Sequence, residues 1–309
     1  MSFAADVKSE LCRLPVNARC CAVSESYGVL LYCNTFTNSA IKIVTDSRPF
    51  ARRLPRLFRR AFGFDFDLLP EDPDKPGKLA LAITDERKIE HIFDVCGFER
   101  ERILAHHINY GVLEEECCRQ SFVRGAFLAG GSVTDPQKRY HLELVTDHYS
   151  VSRETYALLL DMDFAPKSTD RSGRYITYFK SSGAIEDLLT TIGAPVSAMQ
   201  VMEAKILKEM TNSVNRRVNC DTANVTKTVE AASEQVAAIR RLESTGALEA
   251  LPDKLRETAL LRLEYPELSI GQLAAAMNPP VTKSCLSHRL RRLVALAGEK
   301  QEDCRRKEP

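Results

Sequence analysis

The sequence has no run of about 18 apolar residues, so no segment is expected to cross a membrane as a helix. Its start, MSFAADVKSELCRL, lacks the apolar core of a secretory leader and carries acids in its first turns, so export is not expected. Cysteine is plentiful, at 10 residues, yet no two are spaced as Cys-x-x-Cys, and the strongest sequence signal for zinc is missing. Nothing points to secretion, so a disulfide framework is not expected, and the cysteines read as reduced small hydrophobes. No metal ligand or cofactor is assigned. Excess charge is missing too. The formal net charge is +1, so affinity for a polyanion must come from local basic patches and not from an overall field.

What is present is enough apolar residue, 44% of the chain, to build a sizeable core, and 309 residues suggest two or three domains. The chain also repeats itself. IKIVTD at 41–46 matches LELVTD at 142–147, and each follows a cysteine pair, Cys20–Cys21 or Cys117–Cys118. Each leads into a helix-like run, at 47–64 and 148–164. LALAIT at 79–84 then matches RYITYF at 174–179. Finally KIEHIFDVCGF at 88–98 matches AIEDLLTTIGA at 184–194, with Gly97 opposite Gly193. Five matches in one order indicate duplication. Alternating β-branched residues such as Ile41, Ile43 and Thr45 predict strands. Ile185, Leu188, Leu189 and Ile192 have helical spacing.

Two such units would pack about a pseudo-two-fold axis, the first helix of each against its copy. In that alignment Cys21–Cys33 falls on Cys118–Gly130, and Gly28 on Gly125. A mid-helix glycine costs about 1 kcal/mol against alanine, so a repeated one implies a packing reason, the close approach of two helix backbones. The two cysteine pairs would add small surfaces near the start of this seam.

Two αββαββα units meeting at glycine-containing helices resemble the LAGLIDADG homing-endonuclease fold. FVRGAFLAGGSVTDPQKRYHLEL, VNRRVNCDTANVTKTVEAA and TKSCLSHRLRRL, in that order, resemble the WhiA family of bacterial regulators over residues 5–297. The resemblance implies an α+β fold: a duplicated LAGLIDADG-like domain followed by an all-α helix-turn-helix domain. The expected boundaries are 1–110 and 111–195 for the repeats, 196–225 for a linker, 226–297 for the helix-turn-helix domain and 298–309 for a charged, disordered tail.

LAGLIDADG endonucleases place one acid at the end of each central helix, where it holds the metal at the scissile phosphate. The matching positions here are Cys33 and Gly130. Asp135 reads as a turn residue before Pro136, and Glu25 as a solvated or locally paired acid. The expectation is a non-catalytic domain. On its sheets, Lys42, Lys138, Arg139, Arg174 and Lys180 are candidates for phosphate contacts, diluted by Glu143 and Asp147. Arg52, Arg56, Arg59 and Arg60 share one face of a helix on which Leu54, Leu57, Phe58 and Ala61 are apolar, and Pro55 is expected in its first turn. A solvated face is the favoured reading there. A phosphate track is the other, and it makes Arg52, Arg56 and Arg59 possible secondary DNA contacts. His106 and His107 read as surface or connecting residues.

In the C-terminal part, Arg216 and Arg217 lie in a polar connector and are further possible DNA contacts. Ser269 is a good cap for the helix IGQLAAAM, Asn278–Pro280 form a turn, and Thr282 caps the next helix. On that helix Leu286, Leu290, Leu293 and Ala297 make one buried stripe. Lys283, Ser284, Ser287, His288, Arg291 and Arg292 are left exposed, as a recognition helix requires. Relatives usually carry glycine, a branched aliphatic residue and asparagine where this chain has Cys285, Leu286 and Ser287. Serine cannot make asparagine's bidentate contact with adenine, so the preferred DNA sequence is expected to differ.

The resulting expectation is a cytoplasmic, nucleoid-associated transcriptional regulator that binds double-stranded DNA. The resemblance adds sporulation, cell division and chromosome segregation. It also implies RNA polymerase or a sigma factor as partner and, in some lineages, an iron–sulfur regulator. The alternatives are a DNA-coating protein with little sequence preference and an active homing endonuclease.

Overall fold

Ser2 opens the first helix, α1 (Phe3–Cys12), by accepting a hydrogen bond from the Ala5 N–H. The computed structural model describes residues 2–72, 77–98 and 105–305, with side chains as far as 298. The first repeat follows as α2 (Arg19–Tyr32), β1 (Thr35–Phe36), β2 (Ile41–Thr45), α3 (Arg48–Phe62), β3 (Leu79–Ile83) and α4 (Glu86–Cys96). A 3-10 turn at Tyr110–Val112 precedes the second: α5 (Glu116–Gly130), β4 (Gly131–Val133), β5 (Leu142–Thr146), α6 (Tyr149–Asp161), β6 (Lys167–Arg171), β7 (Arg174–Phe179) and α7 (Ser182–Ile192). The remaining helices are α8 (Pro195–Ser244), α9 (Asp253–Glu264), α10 (Ile270–Ala276) and α11 (Lys283–Arg305). Two compact units result, Met1–Met210 and Thr211–Pro309. No described helix is long and apolar enough to cross a membrane.

The duplication is physical. α2 packs along α5 so tightly that a Cβ on Gly28 would stand 2.1 Å from the Phe122 carbonyl oxygen, and one on Gly125 would stand 2.0 Å from that of Glu25. The two clashes are images of each other: the offset that carries Gly28 to Gly125 carries Glu25 to Phe122. α4 and α7 end alike as well, on left-handed glycines Gly97 (φ 74°) and Gly193 (φ 99°), a conformation that favours glycine. Both bury the same spacing of side chains, Ile89, Ile92, Phe93 and Cys96 in one and Ile185, Leu188, Leu189 and Ile192 in the other.

Each repeat contributes an antiparallel sheet, ordered β1-β2-β3 and β4-β5-β7-β6. One face is buried, as Ile41 and Ile43 are on β2 and Leu142 and Leu144 on β5. Among the described residues the first sheet has three strands where four were expected. Leu68 makes a single bridge to Ala82, and Pro70, with no N–H to offer a ladder, follows two residues later.

Three expectations need correction. Pro55 lies inside α3, not in its first turn, which Pro49 occupies. An interior proline costs about 3 kcal/mol, and burial of Phe50, Leu54, Leu57, Phe58 and Ala61 on the same helix offsets it. The stretch 196–225 is helical throughout, as part of α8. The expected disordered tail is helical as far as Arg305, and residues 306–309 lie outside the described ones.

In the second unit, Ala238, Ile239 and Leu242 of α8 share a core with Ala259, Leu273, Ala274, Leu286, Leu290, Leu293 and Ala297. Ser269 and Gln272 form a reciprocal capping box at the start of α10. Arg262, 1% exposed, donates to Gln235 Oε1 (3.0 Å) and to the Leu268 carbonyl (2.7 Å), which fixes the turn into α10.

The helix crossing makes a direct prediction. Gly28→Ala or Gly125→Ala forces backbones apart and is expected to cost at least about 1–3 kcal/mol in urea unfolding. Gly183→Ala, near the start of α7 with no neighbour closer than 3.9 Å, is expected to be neutral or slightly stabilising.

Candidate functional site

The helix α11 shows which side chains its packing leaves free. Leu286, Leu290, Leu293 and Ala297 are buried, and Lys283, Ser284, His288, Arg291 and Arg292 are exposed. Ser287 is half-buried where exposure was expected, because it adjoins the Leu286 side of the stripe. Thr282 caps the helix: its hydroxyl accepts from the Cys285 N–H (3.3 Å), and its carbonyl accepts from the Leu286 N–H. The turn before it is held by the Val281 N–H donating to the Ala274 carbonyl (3.0 Å). Cys285 is exposed beside Ser284.

In the first unit, the ends of α2 and α5 converge on a small cleft lined by Tyr32, Cys33, Gly130, Thr146, Asp147 and Arg174, among others. The Cys33 thiol donates to the Leu30 and Thr35 carbonyls (3.2 Å each), and burial pushes it up to about 12. A Cβ on Gly130 would meet the Val145 carbonyl oxygen at 2.5 Å and the Tyr32 ring at 2.8 Å. Tyr32 is anchored by its hydroxyl on Thr155 Oγ1 (2.9 Å). Asp135, as expected, is a turn residue whose side chain accepts from the Gln137 N–H.

Glu25 is neither solvated nor locally paired. It is 2% exposed and receives Arg53 through Nε at 2.6 Å and NH2 at 2.9 Å, and Arg124 through NH1 at 3.2 Å. Arg53 also donates to the Leu14 carbonyl (2.5 Å), and Arg124 to that of Ile192 (2.7 Å). One carboxylate therefore joins α2, α3 and α5, and its two arginines reach the α1–α2 loop and the end of α7.

Beside it lies an open groove of about 1000 Å³ whose basic lining is Arg13, Arg52, Arg53, Arg56, Arg59 and Arg60. Arg52 and Arg56 are exposed along it. Asp65 accepts from Arg59 Nε (3.0 Å) and from its NH2 (2.6 and 2.7 Å), and Arg60 donates to the Asn17 carbonyl (2.6 Å). On the sheets, Lys42 is exposed, Arg174 pairs with Asp147 (3.3 Å), and Lys180 lies over the Tyr178 ring. Strand β6 adds Lys167 and Arg171, paired in register with Tyr178 and Arg174. The sequence reading missed both because five polar residues, KSTDR, carry no hydrophobic period. Arg216 and Arg217 are exposed on α8.

His106 is not a surface residue. It is 9% exposed, stacks on Phe36 (5.0 Å between centroids) and meets His148 edge-on (4.5 Å). Burial, and then the neighbouring His148, hold His106 below the ordinary histidine range. Burial also lowers His148, against the pull of Asp147. His107 faces Glu154 (2.8 Å).

The other end of the central helix pair collects four sulfurs. The Sγ atoms of Cys20, Cys21, Cys117 and Cys118 all lie within 4.8 Å of one another. Burial pushes the Cys20 thiol up, but hydrogen bonds from Cys118, Cys21 and Cys117 outweigh it and leave Cys20 below its ordinary value. A hydrogen bond to Cys21 pushes Cys117 up to about 12. No ligand spacing within either pair marked this cluster in the sequence.

A duplicated α+β domain seamed at two glycines, followed by helices capped and packed in this way, defines a class: helix-turn-helix proteins built on a LAGLIDADG-like domain. Family profiles agree in both parts. The WhiA LAGLIDADG-like domain matches residues 119–211, and the WhiA C-terminal HTH domain matches 214–297. The probable cell division protein WhiA of Ruminiclostridium cellulolyticum is 38% identical, over 96% of this chain and 97% of its own. That of Alkaliphilus oremlandii is 35% identical over 98% of both. The crystal structure of full-length DUF199/WhiA from Thermatoga maritima aligns with a TM-score of 0.59 at 25% identity, covering 97% of this chain and 99% of that one. The chain belongs to the WhiA family.

Two outcomes test this geometry. Glu25→Ala strands the buried Arg53 guanidinium and the half-buried Arg124 and is expected to cost about 3–5 kcal/mol, whereas Asp65→Ala, at an exposed pair, should leave unfolding unchanged. Because burial lowers His106 and His148 from their ordinary value, the unfolded chain binds more protons than the folded chain below about pH 6.5. Stability should therefore fall as pH drops from 7 to 5, and thermal unfolding of His106→Phe should show a shallower fall.

Proposed function

We propose that this protein is a non-catalytic, site-specific DNA-binding regulator that reads the major groove through α11. The observation that carries the reading is the division of that helix. One stripe is fully committed to the core, and Lys283, Ser284, His288, Arg291 and Arg292 face outward from its first turns. Cations there can hold phosphates, and short hydroxyls near the helix start can reach base edges. Ser287, half-buried, contacts a base only along its exposed edge.

Loss of cleavage chemistry is supported at the ends of α2 and α5. Cys33 spends its thiol on two carbonyls, and Gly130 has Tyr32 and the Val145 carbonyl where a carboxylate would start. A thiol is also a poor ligand for the hard Mg²⁺ ion. The LAGLIDADG-like domain then serves as a secondary DNA surface, through Arg52, Arg56 and the β6–β7 cations, or as a platform for proteins. With Asp65 in its fork, Arg59 is the weaker candidate. Arg216 and Arg217, exposed on α8, are further contacts.

The relatives are named as probable cell division proteins, which supports a role in division. Nucleoid association follows from DNA binding. Transcriptional control through RNA polymerase or a sigma factor, an iron–sulfur partner, and roles in sporulation and chromosome segregation rest on the family resemblance.

The test is genome-wide binding and footprinting of the full-length protein beside an Arg291→Ala, Arg292→Ala variant. Discrete sites should vanish in the variant, and the salt dependence of binding in vitro should fall by about one phosphate contact per arginine removed. Sites that persist unchanged would move the DNA contact off α11 and sink the proposal.

A further inference from the structure

Two adjacent cysteines begin α2, and two begin α5. Each pair sits in the first turn of its helix, and the offset that superposes Gly28 on Gly125 superposes Cys20–Cys21 on Cys117–Cys118. The crossing at the glycines holds the two helix starts close, so four thiols that are far apart in sequence share one small volume.

Their mutual distances suit one ion. A zinc–sulfur bond is about 2.3 Å, so a tetrahedron of four thiolates has edges of about 3.8 Å. The observed upper limit is 4.8 Å, and Cys20 Sγ to Cys21 Sγ is 4.0 Å. An iron–sulfur cluster puts several atoms between its thiolates and needs a wider set. Four sulfur donors with no oxygen or nitrogen among them select a soft-tolerant cation over Mg²⁺ or Ca²⁺. Charge is also accommodated. Four thiolates around a divalent ion leave a surplus of negative charge, and here the thiols stand in the first turns of two helices, where the helix dipole is positive. Cys118 is buried, Cys21 half-buried, and Cys20 and Cys117 exposed, so the ion can arrive from solvent on one side.

We propose that Cys20, Cys21, Cys117 and Cys118 form a closed tetrahedral thiolate site for one Zn²⁺ ion, which clasps the starts of the two central helices. With all four positions supplied by the protein the site is structural. It joins the two repeats at the end of the seam opposite Cys33 and Gly130. Binding releases thiol protons, so occupancy falls as pH is lowered.

The experiment uses the full-length protein, purified with a thiol reductant and no chelator. Elemental analysis should find about one zinc per chain. A Cys20→Ser, Cys117→Ser double variant should fall to background, while Cys220→Ser, Cys285→Ser, which alters two exposed cysteines outside the cluster, should keep its zinc. A second measurement is independent of variants. Co²⁺ added to the metal-free wild type should produce the visible bands and sulfur charge-transfer absorption of tetrahedral cobalt thiolate, and Zn²⁺ should bleach them. Removal of the metal should lower the thermal midpoint. The proposal is overturned by a wild-type protein that stays metal-free when Zn²⁺ is supplied under reductant, or by cobalt bound without sulfur charge transfer. Iron with labile sulfide, or a cross-helix disulfide trapped in freshly lysed cells, would overturn it as well.

Discussion

The contact between two helix backbones at Gly28 and Gly125 is the constraint from which the first unit follows. Neither position can carry a side chain, and the clashes that a methyl group would create are mirror images across the seam. Once the backbones touch there, everything else along α2 and α5 is placed in pairs. The cysteine pairs meet at the start, Ser24 and Ser121 are buried in between, and Cys33 and Gly130 end the helices at the cleft. The same crossing puts Glu25 where Arg124 of the opposite helix can reach it.

That buried carboxylate is an unusual component for such a seam. An isolated charge in a core is costly, and even a paired one is often no better than a hydrophobic replacement. Here Glu25 is held by two guanidinium groups, and these also satisfy backbone carbonyls at Leu14 and Ile192 that would otherwise be left without donors. The arrangement specifies which loop and which helix end lie beside the seam, a directional demand that apolar packing does not make. Arg262 does similar service in the second unit, where a buried guanidinium fixes the turn before α10. Buried arginine thus positions chain ends in both units.

The functional reading divides along the same lines. At one end of the central helices, Tyr32 and the Val145 carbonyl occupy the space beside Gly130, and the Cys33 thiol is bonded to backbone carbonyls. At the other end, four sulfurs are gathered. In the proposed reading a clasp at the cysteine end holds the two halves of the domain in register. In the second unit the exposed basic face of α11 is set by that helix's own buried stripe, Leu286, Leu290, Leu293 and Ala297.

Much of this was legible in the sequence. The duplication, the helices α4 and α7 with their terminal glycines, the seam glycines, the capped helices α10 and α11 and the buried stripe on α11 all follow from local pattern. A helix or strand must show its buried face at a fixed period, and caps and turns need particular residues at particular places. The helical state of 196–225 was not legible, because a polar stretch rich in Asn and Thr has no strong period of either kind. Strand β6 was missed for the same reason. Pro55 was misplaced because a local rule against interior proline yielded to the burial of five neighbours. Only the tertiary structure decided that Glu25 answers Arg53 and Arg124, that His106 is buried against Phe36, and that Cys20, Cys21, Cys117 and Cys118 converge. Periodicity tells which side of an element is buried, but the partner it meets there is set by how distant elements cross, and here that crossing is dictated by two glycines.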